Sequence, residues 1–235
     1  MRDAGLTAEA ARRRCWFVDS RGLVVGGRTD LAPHKRPYAH DHPFVPDLPS
    51  AIEALRPTAL IGVAGQPKAF SRPVLEAMAR LNTRPIIFAL SNPTSKAECT
   101  AEEAYTATDG RALFASGSPF RPVTHRGVTH VPGQGNNAYI FPGVGLAVSV
   151  CGITRVTDEM FYAAARTLAD AVRPEDLQCG CLYPPLGRIR EVSAAIAAAV
   201  AEVGYRRNLA MLARPGNLAD YLKSQMFEPK YRNFE

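Results

Sequence analysis

The sequence predicts an α/β fold: an incomplete doubly wound parallel sheet followed by C-terminal helices. Two observations carry this. Four apolar runs, Cys15–Asp19, Ala59–Gly65, Pro85–Asn92 and Ala112–Gly117, are near-continuous rather than alternating, the pattern of strands buried on both faces of a parallel sheet. Helical patterns lie between them, at Ser50–Leu55, Arg72–Leu81 and Thr100–Thr108, and alternation of strand and helix defines a doubly wound sheet.

The elements follow in order. Cys15–Asp19 runs into Ser20, Arg21 and Gly22, a turn. Thr100 and Glu103 form a capping box that starts the third helix. Tyr139–Gly152 is apolar and reads as a buried helix that tolerates Pro142 near its start. Asp158–Val172 and Ile189–Tyr205 are alanine-rich amphipathic helices. From Arg214 the chain is polar with scattered aromatics, a peripheral strap. The whole, 1–235, reads as one domain, with 206–235 as a peripheral tail.

Composition narrows the function. Of 235 residues, 46% are hydrophobic and 21% charged, too apolar for a disordered chain. The longest uncharged apolar stretch, Tyr139–Thr154, is about 16 residues, short of the roughly 20 that cross a bilayer. The start, Met1–Gly5, lacks the apolar segment of a secretory signal. A net charge of +6 suits an anionic partner. The basic residues cluster only at Arg12–Arg14 and Lys35–Arg36, without interleaved aromatics, so small phosphates or carboxylates fit better than nucleic acid. Cys15, Cys99, Cys151, Cys179 and Cys181 are an odd set of five, read as reduced thiols in a cytoplasmic protein.

The apolar runs end in Asp19, Gly65, Asn92 and Gly117. In a parallel sheet these ends share one edge, where ligands bind. An acid closing a strand, as Asp19 does, marks the second strand of a dinucleotide fold, where the carboxylate meets the ribose hydroxyls. Ser20, Arg28 and Lys35 add a hydroxyl and cations suited to a 2′-phosphate, so NADP is expected over NAD. The Gly-rich turn should precede that acid by about 20 residues. Only Gly5 stands upstream, so either Asp19 is misread or the first βα unit lies outside this chain. One G-x-G-x-x-A match, Gly133–Ala138, follows a poor strand and reads as a tight loop entering a helix. Its amides Asn136 and Asn137 suit a carboxylate or carboxamide. His40 and His42 hint at a metal but lack a third ligand, and no Ser/His/Asp pattern surrounds Ser91, Ser116 or Ser118.

Longer strings then resemble a known family. Phe88–Thr94 (FALSNPT), Ala97–Tyr105 (AECTAEEAY), Phe114–Phe120 (FASGSPF), Pro132–Asn137 (PGQGNN), Phe141–Gly143 (FPG) and Leu182–Pro185 (LYPP) are similar to the malic enzymes, in the right order and over nearly the whole chain. The resemblance implies a Rossmann-like NAD(P)-binding domain and oxidative decarboxylation of (S)-malate to pyruvate and CO2. It implies reduced NADP or NAD as product, Mg2+ or Mn2+ in the complete enzyme, and a homo-oligomer. It places Asn92, Asn136 and Asn137 at malate, Asn92 also at the nicotinamide, and Gly62, Val63 and Ala64 along the cofactor. The family's metal carboxylates, catalytic lysine and tyrosine, and glycine-rich turn have no counterpart here. No catalytic and no metal-binding residue is therefore assigned to this chain, and alone it is expected to be inactive. The other reading is a non-catalytic, truncated nucleotide-binding or oligomerisation chain.

Overall fold

The computed structural model describes residues 1 and 5–228. They form two compact units, Met1–Leu113 and a second that begins at Phe114.

In the first unit, α1 (Ala8–Arg13) is capped by the Thr7 hydroxyl, which accepts from the Ala10 N–H at 3.1 Å. β1 (Val18–Asp19) and β2 (Gly22–Leu23) pair antiparallel, Val18 with Leu23 and Asp19 with Gly22. Here the structure departs from the sequence reading. The run ending at Asp19 is the first half of a hairpin, not a strand of the parallel sheet. The physical reason is the turn: Gly22 sits at φ +102°, and a Cβ there would lie 2.4 Å from the Val45 carbonyl oxygen. Only glycine permits this reversal, and it lays β2 along the hydrogen-bonding edge of β1.

The next five helices and strands follow the prediction closely. α2 (Leu48–Leu55) is capped by Asp47, which accepts from the Ser50 N–H at 2.8 Å. β3 (Ala59–Gly62), α3 (Arg72–Leu81) and β4 (Ile86–Ala89) form a βαβ unit with Gly62 beside Ala89 in parallel register. α3 fully buries Val74, Leu75 and Met78, each worth about 1.5–3 kcal/mol when removed from water. α4 (Ala101–Ala107) starts at the predicted capping box: Thr100 Oγ1 accepts from the Glu103 N–H, and Glu103 accepts from the Thr100 N–H.

Burial of β3 differs from expectation. Leu60 and Gly62 are buried, whereas Ile61 is 56% and Val63 is 74% exposed. The apolar run therefore covers one face, and the other is open. Among the described residues, β3 pairs with β4 alone, so its second edge is unpaired too.

In the second unit, β5 (Leu113–Ser116) runs parallel to β8 (Gly133–Gln134), with Ala115 beside Gly133 and Ser116 beside Gln134. Between them β6 (Val123–His125) and β7 (Val128–His130) form a hairpin absent from the sequence reading. The chain then enters α5 (Phe141–Cys151), with Pro142 in its first turn and Gly152 closing it. α6 (Asp158–Asp170), α7 (Pro174–Gln178), α8 (Ile189–Arg206) and α9 (Leu218–Ser224) follow. Ala147, Met160, Ile196, Val200 and Leu222 build one fully buried core from α5, α6, α8 and α9. Leu218 and Leu222 thus fasten part of the expected strap into the core. The remainder of that tail, 229–235, lies outside the described residues.

Close approach of α5 and α8 requires a glycine. A Cβ on Gly143 would sit 2.7 Å from the Ser193 carbonyl oxygen and 2.7 Å from Ile196 Cγ2, whereas one on Gly145 meets nothing within 4 Å. Gly143→Ala is expected to destabilise the chain by about 1–3 kcal/mol through overpacking. Gly145→Ala should stabilise it by up to about 1 kcal/mol through helix propensity. Urea unfolding of the two variants checks this, and equal effects would contradict the packing described.

Candidate functional site

Two sets of predicted residues lie in the first unit. The first sits on and after the β1–β2 hairpin. Arg28 lies between two carboxylates: its Nη1 and Nη2 donate to Asp19 at 2.9 and 3.3 Å, and its Nε and Nη2 donate to Asp30 at 3.0 and 2.8 Å. Lys35 Nζ donates to Asp19 Oδ2 at 2.5 Å, and Arg21 Nη1 to Asp30 at 2.9 Å. Asp19 also accepts from the Arg21 N–H at 3.0 Å, which fixes the carboxylate over the turn. Three cations against two carboxylates leave a surplus positive charge. It resides on the more open groups, since the Arg28 side chain is only 8% exposed, Lys35 34% and Arg21 70%.

Electrostatics follow from this geometry. Partial desolvation pushes the Asp19 carboxyl upward, but hydrogen bonds from Arg28 and Lys35 outweigh it and hold Asp19 at about 2. Arg28 is held further toward its charged form by hydrogen bonds to Asp30 and Asp19. Asp19 therefore stays ionised with its charge already neutralised by Arg28 and Lys35. Ser20 is exposed on the same turn. The structure thus brings Asp19, Arg28 and Lys35 together, with Arg28 enclosed by Asp19 and Asp30 rather than open at the surface.

The second set lies at the carboxyl ends of β3 and β4, which parallel pairing puts side by side; the Leu90 N–H donates to the Gly62 carbonyl at 2.9 Å. Gly62, Val63, Ala64 and Gly65 leave β3, and Ser91 and Asn92 leave β4. Val63, Ala64 and Asn92 are exposed, and the Asn92–Pro93 peptide is cis. Beneath these ends lies Glu98, 1% exposed and missed by the sequence reading. Its Oε1 accepts from the Ser91 hydroxyl and its Oε2 from the Ser91 N–H at 3.3 Å. Ser91 Oγ in turn accepts from the Gly65 N–H at 2.9 Å.

In the second unit, the loop after β8 holds the two amides. Asn136 Oδ1 accepts from the Ala138 N–H at 2.9 Å, and its Nδ2 donates to the Gly117 carbonyl at 3.4 Å. Asn137 is exposed. The Gly133–Ala138 segment is a short strand, a turn and the approach to α5: Gly133 and Gln134 pair with β5, and part of the poor strand expected before it, Thr129 and His130, lies in β7.

Other candidates settle into structural roles. His40 stacks on Trp16 at 3.8 Å and bonds the Cys15 carbonyl, and His42 bonds the Pro43 carbonyl. All five cysteines are free thiols, and burial pushes Cys99 up to about 12. A cleft of about 560 Å3, lined by Lys68, Phe70, Arg72, Leu75, Thr100 and Glu103, lies between the starts of α3 and α4. It mixes both signs of charge, and the exposed strand-end residues do not line it. Among the described residues no group of three or more His, Cys, Asp or Glu is placed to hold a metal. No helix among them is long and apolar enough to cross a membrane.

Parallel strands with helical crossovers and polar ends at one edge define an α/β nucleotide-binding domain. Comparison with known proteins agrees. The family described as malic enzyme, NAD binding domain, matches residues 1–205. An NADP-dependent malic enzyme of Vitis vinifera is 53% identical over 228 residues, which is 96% of this chain and 39% of that protein. NADP-dependent malic enzyme 3 of Arabidopsis thaliana is 50% identical over 235 residues, 99% of this chain and 40% of that protein. The crystal structure of Entamoeba histolytica malic enzyme shares the fold at a TM-score of 0.69 and 20% identity, covering 89% of this chain and 40% of that one. The chain belongs to the malic enzyme family, within its NAD-binding domain. It spans about two fifths of the length of the curated relatives it matches.

The Asp19 network predicts a pH dependence. The carboxyl drops from an ordinary 3.8 to about 2 on folding, so its contribution is complete above about pH 5 and is lost as pH falls through about 2. That shift corresponds to about 2 kcal/mol. Asp19→Asn should cost at least about 2 kcal/mol at neutral pH, and its gap from the parent chain should narrow steadily from about pH 5 to pH 2. Urea unfolding across that range measures it, and a gap that does not change with pH would contradict the pairing.

Proposed function

We propose that this chain supplies the NADP-binding surface, and part of the malate-binding surface, of an enzyme that converts (S)-malate to pyruvate and CO2. The observation that carries the cofactor choice is Asp19, ionised yet already paired by Arg28 and Lys35 beside exposed Ser20. In this reading Lys35 turns from Asp19 toward the 2′-phosphate, Ser20 donates to it, and Arg28 keeps Asp19 neutralised for the ribose. NADP fits these donors better than NAD does. The end of β3, with Gly62 buried and Val63 and Ala64 exposed, faces the dinucleotide, and Asn92 meets both malate and nicotinamide in this reading. Asn137 meets the substrate carboxylate directly. Asn136, tied to Ala138 and Gly117, shapes the loop and offers what remains of its amide.

The dinucleotide, held along Gly62, Val63, Ala64 and Asn92, would supply the hydride-accepting chemistry. A divalent metal such as Mg2+ or Mn2+ does not fit the described residues, which offer no carboxylate cluster for it. Nor is a base for the malate hydroxyl assigned among them. Oxidation needs such a base, and loss of CO2 needs charge stabilisation on the enolate. The remaining groups come, in this reading, from a completing polypeptide or from a homo-oligomeric partner. The open face of β3, with Ile61 and Val63 exposed, supports that expectation. A single nucleotide-binding domain, working on a small molecule in the cytoplasm without nucleic acid or membrane, belongs to the same proposal. The five free thiols support the compartment.

Two outcomes follow. Supplied with malate, Mn2+ and NADP, the chain alone should produce no reduced cofactor above a protein-free control; steady turnover would place catalytic groups within it. In direct titrations, Lys35→Gln should weaken NADP by about 1.5–3 kcal/mol, the value of a charge-assisted hydrogen bond, and leave NAD nearly unchanged. Equal losses for both cofactors would remove Lys35 from the phosphate site. Binding of neither cofactor by the parent chain would favour the non-catalytic reading.

A further inference from the structure

We propose that Glu98 is a positioning residue, whose buried carboxylate locks the β3 end loop to the end of β4 and so sets the surface on which the cofactor lies. The proposal rests on the reading of those strand ends as the cofactor face.

Burial of a carboxylate is costly unless its lone pairs are met. Glu98 meets that condition with one residue. Oε1 takes the Ser91 hydroxyl proton and Oε2 takes the Ser91 N–H. A hydroxyl has one proton to give. Because Glu98 takes it, the oxygen of Ser91 is left as an acceptor, and the Gly65 N–H occupies it at 2.9 Å. The carboxylate thus dictates the polarity of the chain Gly65 N–H to Ser91 O–H to Glu98.

Sterics lock the same place. Gly62 has no side chain because Glu98 fills that space: a Cβ there would lie 2.4 Å from Glu98 Cδ and 2.6 Å from its Cγ. The backbone adds a third segment. The Glu98 carbonyl accepts from the Phe70 N–H at 3.0 Å, and the Ala97 carbonyl from the Lys68 N–H at 3.1 Å. One residue therefore ties down 62–65, 68–70 and 91, and Val63 and Ala64 stand on the first of these. An apolar residue of like size could fill the space under Gly62. It could not accept from Ser91, and Gly65 would lose its ordered acceptor.

The test uses the full 235-residue chain, labelled with 15N, and two readouts. Hydrogen exchange at the Gly65 amide reports the lock. Spectral shifts on addition of NADP report its consequence, and they register weak binding too. Glu98→Gln keeps the size and one acceptor but sets an amide N–H against the Ser91 N–H. It should speed Gly65 exchange at least about tenfold, as local opening becomes easier, and raise the NADP dissociation constant about tenfold or more, as for a lost charge-assisted bond. Ser91→Ala, which leaves the steric contact intact, should speed Gly65 exchange to a similar degree. Gly62→Ala should damage the parent chain but add little in a Glu98→Ala background, where its space is vacant.

Unchanged Gly65 exchange in both Glu98→Gln and Ser91→Ala would overturn the lock. Faster exchange with an unaltered NADP affinity in Glu98→Gln would make Glu98 structural only and overturn the positioning role. A parent chain that shows no NADP-dependent shifts at any concentration would instead defeat the reading of the strand ends as a cofactor face, while the exchange data still decide the lock.

Discussion

Parallel pairing of β3 with β4 is the constraint on which the candidate site depends. Parallel strands require a crossover, here α3, and the crossover delivers both carboxyl ends to the same edge. The backbone bonds of the pair stop at Leu90 and Gly62. Beyond that point the two loops would diverge without further support. Glu98 and Ser91 supply it, carrying the alignment from the sheet into the loops that bear Val63, Ala64 and Asn92. Local order at the site is thus a continuation of sheet register by side chains.

The hairpin cluster works by a different principle. Its carboxylate is not offered bare to a ligand. Asp19 is held low by Arg28 and Lys35, and Arg28 is enclosed by Asp19 and Asp30. An enclosed guanidinium loses little further entropy when a ligand arrives, and it holds both acids in place. Lys35, more exposed and ending in a single ammonium, is in the proposed reading the group that changes partner from carboxylate to phosphate. In the proposed reading, a paired acid with a movable cation reconciles an acid at this position with a phosphorylated ribose.

Much of this was legible in the sequence. The bounds of α3 agree to the residue, and the Thr100–Glu103 capping box has the expected bonds, because both rest on local rules. The hairpin β6–β7 carried a signal that went unread: Val-Thr-His repeats around Arg126 and Gly127, both at positive φ. Asn217, which caps α9, was a similar local clue in a segment read as a strap. The sequence groups Asp19, Arg28 and Lys35 and the structure brings them into contact, but the enclosure of Arg28 depends on Asp30 and on depth, which spacing does not show. Glu98 was hidden for a related reason. It stands two residues before the Thr100 cap of α4 among other acids, where an exposed capping role is the ordinary expectation, and only the space left by distant Gly62 shows that it is buried.

The central claim is that the hairpin cluster reads a 2′-phosphate. Titration of the 15N-labelled chain with adenosine 2′-phosphate, beside adenosine 5′-phosphate as control, tests it most directly. The account predicts shifts at Ser20, Arg21 and Lys35 with the 2′-phosphate alone, weakened as salt rises because the contact is ionic. Equal shifts with both nucleotides, or shifts confined to the cleft between α3 and α4, would contradict it.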